Sequence, residues 1–196
     1  MSALMDSDHV LGLRYGFLLG DIIGSPFRYS RRRRFYGIVE TVIKRSGFTV
    51  GSPSPTVQML SGQSTKRATS AMQVEIFRIV QDPNKFTTDR VRAKADSKLR
   101  ALLDLTEDMS FEDAMWAVMS RMWRCDASAY AAAVGCAVGA RIGYEAMQKE
   151  LDTWANLQCV DPNTFELLFN NISKYEAGKS GIQRKTRSKH SYGQRR

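Results

Sequence analysis

Histidine is nearly absent from this 196-residue chain: there are two, His9 and His190. Both stand in polar terminal settings, and no Ser/His/Asp or Cys/His arrangement can be assembled from them. Cysteine is scarce as well. Cys125, Cys136 and Cys159 are odd in number and lack metal-ligand spacing, so they read as small buried hydrophobes in a reducing compartment. The apolar glycine-containing run is too short for a membrane span: Ala127 to Ala140 supplies 14 uncharged residues before Arg141, where a span needs about 20. No basic leader opens the chain, because Asp6 and Asp8 precede its apolar residues and an export signal needs a basic start. The expected location is intracellular, in the cytosol, an organelle matrix or a virus particle. Alternation of apolar and polar residues is missing beyond Gly37 to Ile43, so the expected class is all-α.

Apolar residues make up 43% of the chain, enough for one domain with a real core and hardly for two. The centre of that core is marked by glycine. Gly135, Gly139 and Gly143 recur every four residues in a run of Ala and Val, and Gly12, Gly16, Gly20 and Gly24 repeat the spacing near the start. A period of four places each set on one helix face. Glycine costs a helix roughly 1 kcal/mol against Ala, so seven of them require a reason, and close approach of a second backbone supplies it. The two ladders are expected to pack on each other.

Around this pair the pattern predicts further helices. Leu4 to Gly20 reads as a helix ending in a turn-rich loop over Gly20 to Pro26, and residues 47–65, rich in Gly, Ser and Pro, read as a loop. Ala68 to Val80 and Thr88 to Leu105 read as two helices. Ser110, with Asp113 three residues on, caps a fourth. A short helix is expected around Leu151 to Leu157, and Asp161-Pro162 opens the last one, with Pro where its missing N–H does no harm.

Charge divides the chain. Net charge is +9, but from Lys174 to Arg196 eight Lys and Arg face one Glu, leaving only +2 for the first 173 residues. Residues 1–173 are therefore expected to form the helical domain. Residues 174–196 form a basic tail that cannot bury enough apolar surface to fold alone. Its Arg184, Lys185, Arg187, Lys189, Arg195 and Arg196, with the loop residues Arg31, Arg32, Arg33 and Arg34 beside Tyr29, Phe35 and Tyr36, are candidate nucleic-acid contacts. Composition does not separate RNA from DNA.

Three stretches in order resemble the ADP-ribosylglycohydrolase family. Leu18-Leu19-Gly20-Asp21-Ile22-Ile23-Gly24-Ser25-Pro26 looks like the family's opening GDxxGxP segment. Gly62-Gln63-Ser64-Thr65-Lys66-Arg67-Ala68 sits where the family has TDDT. Asp126-Ala127-Ser128-Ala129, followed by Tyr130 to Gly135, looks like its DxDTNAAxxG segment. The resemblance implies a compact orthogonal helical bundle and hydrolysis of ADP-ribosyl bonds with two magnesium ions held by those motifs.

The departures fall on the metal ligands. Magnesium wants oxygen ligands, chiefly carboxylates. Lys66 and Arg67 stand where two Asp are expected, Ala68 replaces the closing Thr, Ser128 and Ala129 replace Asp and Thr, and Arg28 replaces an acidic residue. Only Thr65 and Asp126 remain of the two ligand motifs. Two like unit charges about 4 Å apart repel by roughly 4 kcal/mol at an effective dielectric of 20, so Asp126 cannot offset two ions and two cations together. Lys66 is expected to pair with Asp126 instead, or with Arg67 to hold a phosphate near the helix start at Ala68. The chain is also short for the family, with 61 positions from Thr65 to Asp126. No cofactor or membrane is expected. The chain reads as a catalytically inactive relative, a structural or binding subunit of a nucleic-acid-containing assembly such as an organellar ribosome or virus particle, packed on protein neighbours. The competing reading is an ADP-ribosyl hydrolase, or a pseudoenzyme that still binds nucleotide or ADP-ribose.

Overall fold

The computed structural model describes residues 7–28, 52–61, 70–82, 88–122 and 124–177. Among them there are nine α-helices and no strand: α1 Ser7–Gly24, α2 Pro55–Leu60, α3 Ala71–Gln81, α4 Thr88–Lys94, α5 Ser97–Leu105, α6 Phe111–Arg121, α7 Ala127–Ile142, α8 Tyr144–Asn156 and α9 Pro162–Ala177. The protein is all-α over this length, and no described helix is long and apolar enough to cross a membrane.

The glycine ladders meet as their spacing predicts. A Cβ built on Gly12, Gly16, Gly20, Gly24, Gly135 or Gly139 would fall less than 3.0 Å from backbone atoms of the opposite helix. Gly12 faces Gly139 and Gly143, Gly16 faces Gly135, Gly20 faces Ala131, and Gly24 faces Ala127. α1 and α7 therefore run antiparallel at backbone contact, and His9 Nδ1, 2.9 Å from Ala140 O, donates across one end of the pair. His9 is thus part of the pair rather than a solvent-facing terminal group. Gly143, at φ +82° and ψ 174°, ends α7 in an extended positive-φ conformation that favours glycine, and its N–H bonds Gly139 O at 3.0 Å.

The remaining helices wrap this pair. Tyr15 of α1 packs its ring on Tyr144, Phe165 and Phe169 of α8 and α9, with centroids 5.3, 4.5 and 5.0 Å away. Its hydroxyl donates to Glu166. Phe17 meets Phe77 of α3 at 5.6 Å, and Trp116 of α6 meets Trp154 of α8 at 5.2 Å. Such rings bury the largest apolar areas and set how the layers sit.

Several helix boundaries differ from the sequence reading. α1 does not end at Gly20 but continues to Gly24 and into a 3-10 turn, Ser25–Phe27, because Gly20 and Gly24 serve contact with α7 rather than a turn. Inside the expected loop at 47–65, Ser54 caps the short α2, its side chain accepting from Val57 N at 3.2 Å, with Pro55 at the first position. The single helix expected over Thr88 to Leu105 is two: Asp96 interrupts it and caps α5 through Leu99 N at 2.8 Å. α8 is longer than expected, and α9 runs through Ala177, past the position where the sequence places the start of the tail. Ser110 caps α6 as predicted, accepting from Asp113 N at 3.1 Å. Of the cysteines only Cys136 is buried; Cys125 and Cys159 are partly exposed, and all three are free.

Candidate functional site

The N-terminus of α7 is where the first and third of the motif-like stretches meet. The 3-10 turn after α1 delivers Arg28, and the left-handed residue Arg124, at φ 59°, turns the chain so that Asp126 stands at the N-cap of α7. An N-cap aspartate ordinarily accepts from the second or third helical N–H. Asp126 makes no such bond. Its carboxylate instead takes a fork from Arg28, Nε to Oδ1 at 2.9 Å and Nη2 to Oδ2 at 3.2 Å, while Ser128 Oγ donates to Oδ1 at 2.7 Å. Planar guanidinium matches carboxylate in this two-point geometry better than an ammonium can.

One layer deeper lies a second carboxylate. Asp21 is fully buried. Ser54 N donates to its Oδ2 at 2.8 Å, and Gln73 Nε2 donates to its Oδ1. Burial pushes the Asp21 carboxyl up to about 6, against the hydrogen bonds from Ser54 and Gln73 that favour the ion; the negative charge of Asp126 adds a smaller upward push. Ser54 also caps α2, and Ser70, the cap of α3, places Gln73 and receives Gln73 N at 3.2 Å. One side chain of α1 thus ties three helices together.

Beside the same end of α7, Tyr130 Oη donates to Asp96 Oδ2 at 2.6 Å, linking α7 to the cap of α5. Lys98 Nζ lies 3.2 Å from Cys125 Sγ. Burial is the first cause holding the Tyr130 hydroxyl well above the usual phenol range, followed by its bond to Asp96.

These residues do not fit the magnesium pair that the resemblance implies. The oxygens of Asp126 that would face a cation already face the Arg28 guanidinium, and the neutral Ser128 stands where a second ligand would be. Among the described residues no group of three or more His, Cys, Asp or Glu is placed to hold a metal ion. Among the described residues, the cation paired with Asp126 is Arg28. Thr65, Lys66 and Arg67, the loop arginines Arg31 to Arg34, and the tail residues Arg184, Lys185, Arg187, Lys189, Arg195 and Arg196 lie outside the described residues.

Sequence reasoning singled out Asp126 but missed the partners that define its surroundings. At Arg28 the sequence alone shows only the loss of an acid. Asp21 carried a signal of its own, a lone carboxylate in the apolar run Leu18 to Gly24, whereas Ser54 and Gln73 carried none. Against protein-family models, curated proteins and solved structures, the chain has no match.

Proposed function

We propose that this chain is a catalytically inactive protein of the ADP-ribosylglycohydrolase type that serves as a structural and binding subunit of a nucleic-acid-containing assembly, such as an organellar ribosome or a virus particle. The observation that carries this reading is the Arg28 fork on Asp126, a cation built from the chain itself at the carboxylate a metal would need. A site closed in this way holds its fold without metal chemistry. The loop arginines Arg31 to Arg34 and the tail beyond Ala177 then reach for phosphates, inside a reducing intracellular compartment, while the helical body packs on protein. Basic residues in this number support sequence-independent contact with a phosphate backbone.

Two measurements test the reading. Fractionation of cells should place the protein in a sedimenting particle with nucleic acid, and the purified protein should carry absorbance at 260 nm that high salt removes. Calorimetric titration with magnesium should show no saturable binding, and ADP-ribose should not be released from a modified substrate. Turnover abolished by Asp126→Ala, or saturable binding of ADP-ribose by a particle-free protein, would establish the enzyme or pseudoenzyme reading instead.

A further inference from the structure

Among the described residues, two clefts between neighbouring helices stand out. The one between α3 and α4, about 420 Å³, sets Glu75 and Asp82 beside Arg78, Arg90 and Lys94. Mixed charge of this kind selects no occupant. The other, about 300 Å³, lies between α5 and the end of α6 and is different in kind. Its α5 wall is Lys98, Ala101, Leu102 and Leu105, the spacing of a single helical stripe. Arg121 and Met122 form part of the opposite wall. Leu102 and Met122 are buried and give an apolar floor; Leu105 is partly exposed, and Lys98, Ala101 and Arg121 are exposed.

Among the described lining residues there are two cations and no acid, and neither cation forms an ion pair with a described carboxylate. There is also no aromatic ring among them on which a nucleic-acid base could stack. An apolar floor adds nothing to a phosphate contact. Both features favour an occupant with an apolar side chain and a negative charge close together. A volume of about 300 Å³ is at the small end for a ligand pocket and suits one or two anchoring side chains. The stripe along α5 offers a helical track, with the small Ala101 allowing close approach.

We propose that the α5–α6 groove docks an acidic amphipathic helix of a partner protein. An apolar anchor from that helix sits on Leu102, Leu105 and Met122, and its carboxylates meet Lys98 and Arg121. This is the helix-in-groove mode, read from anchors one turn apart, with rim charges that steer and select. The groove borders the α7 N-terminus through Lys98, which neighbours Cys125, but is not lined by Asp21, Arg28 or Asp126, and its test is independent of magnesium, ADP-ribose and the tail.

The test is selection of random peptides of about 14 residues, long enough for marginal helix formation, displayed against the full chain. Selected peptides should carry two or more Asp or Glu around a Leu, Phe or Met. They should bind roughly tenfold or more weakly to the Lys98→Glu/Arg121→Glu protein, whose circular dichroism and melting should match the parent. Lys-for-Glu versions of those peptides should recover affinity for the charge-reversed protein. In a Cys159→Ser background, bound peptide should slow alkylation of Cys125, which neighbours Lys98. Selection that yields no acidic family, or a family indifferent to the reversed charges, overturns the proposal. So does a single-stranded homopolymeric oligonucleotide that displaces the peptides and loses its own affinity on the same reversal, since the groove would then be a phosphate site.

Discussion

The backbone carbonyl of Gly135 occupies the space that a Cβ on Gly16 would need, and the carbonyl of Gly16 occupies the space that a Cβ on Gly135 would need. The obstacle on each side is main chain inside a helix, which cannot move aside as a side-chain tip can.

Gly16→Ala should therefore destabilise the protein. The gain in helix propensity is about 1 kcal/mol, and overpacking against fixed backbone costs about 1–3 kcal/mol or more, so the loss wins. Gly139→Leu should be worse. Urea denaturation measures both, and a midpoint for Gly16→Ala at or above the parent's would remove the backbone-contact account of α1 and α7.

Arg28 and Asp126 hold each other with their side chains 18% and 11% exposed. Removing one partner of a fully buried pair costs about 3–5 kcal/mol; here residual solvent access lowers the expected cost of Arg28→Met or Asp126→Asn to about 1–3 kcal/mol. The double substitution should cost less than the two together, by a coupling on the order of 1 kcal/mol. Strict additivity in a double-mutant cycle would mean the fork contributes nothing to the fold.

Asp21 makes stability depend on pH in an unusual sense. Its carboxyl is raised from 3.8 to about 6 in the fold, chiefly by burial, so between those values the folded protein holds a proton that the unfolded chain has released. Stability from this group is complete below about pH 4, falls as pH rises toward 6, and is level above that. The full effect is on the order of 3 kcal/mol. Asp21→Asn, which does not ionise, should remove this slope once the Gln73 amide turns to match it. The difference between the parent and Asp21→Asn melting curves from pH 4 to 7 isolates the effect from other carboxylates. Parallel curves would show that Asp21 does not titrate in this range.

Asp96 has two dependants, the Leu99 N–H at the start of α5 and the Tyr130 hydroxyl. Asp96→Ala loses a cap worth about 1 kcal/mol and strands a largely buried hydroxyl, for roughly 1–3 kcal/mol more. Tyr130→Phe loses only the second bond and leaves Asp96 in water, so it should cost less. Asp96→Asn keeps a cap and an acceptor and should fall nearest the parent. Thermal melts that reverse the order of Asp96→Ala and Tyr130→Phe would refute this division of labour.

Cutting the chain after Ala177 leaves α9 whole and removes Lys179, Arg184, Lys185, Arg187, Lys189, Arg195 and Arg196. The melting temperature should hardly change, because the buried core of the described residues lies before this point. Nucleic-acid affinity should drop. If about five of these residues meet phosphates, the full chain's log–log salt slope should be roughly −3.5 to −4.5, and the cut protein's should be much flatter. Equal slopes for the two proteins would assign the tail no phosphate contacts.

Local chemistry was enough for part of this structure. The all-α class, the two smooth glycine faces, the Ser110 cap and the Pro162 helix start all follow from residue spacing along the chain, and each is a property of a few neighbouring residues. The length of α1 was not readable in that way. Gly20, Asp21, Gly24 and Pro26 have the composition of a turn, and only the backbone of α7 lying against those glycines makes them helix residues. The same holds for the site. Asp21 meets Ser54 and Gln73 across 33 and 52 positions, and Arg28 meets Asp126 across 98. The energy of such pairs depends on distance in space and on the water excluded around them, neither of which any local pattern encodes. The sequence determined which groups were available; the packing of α1 on α7 decided which of them would meet.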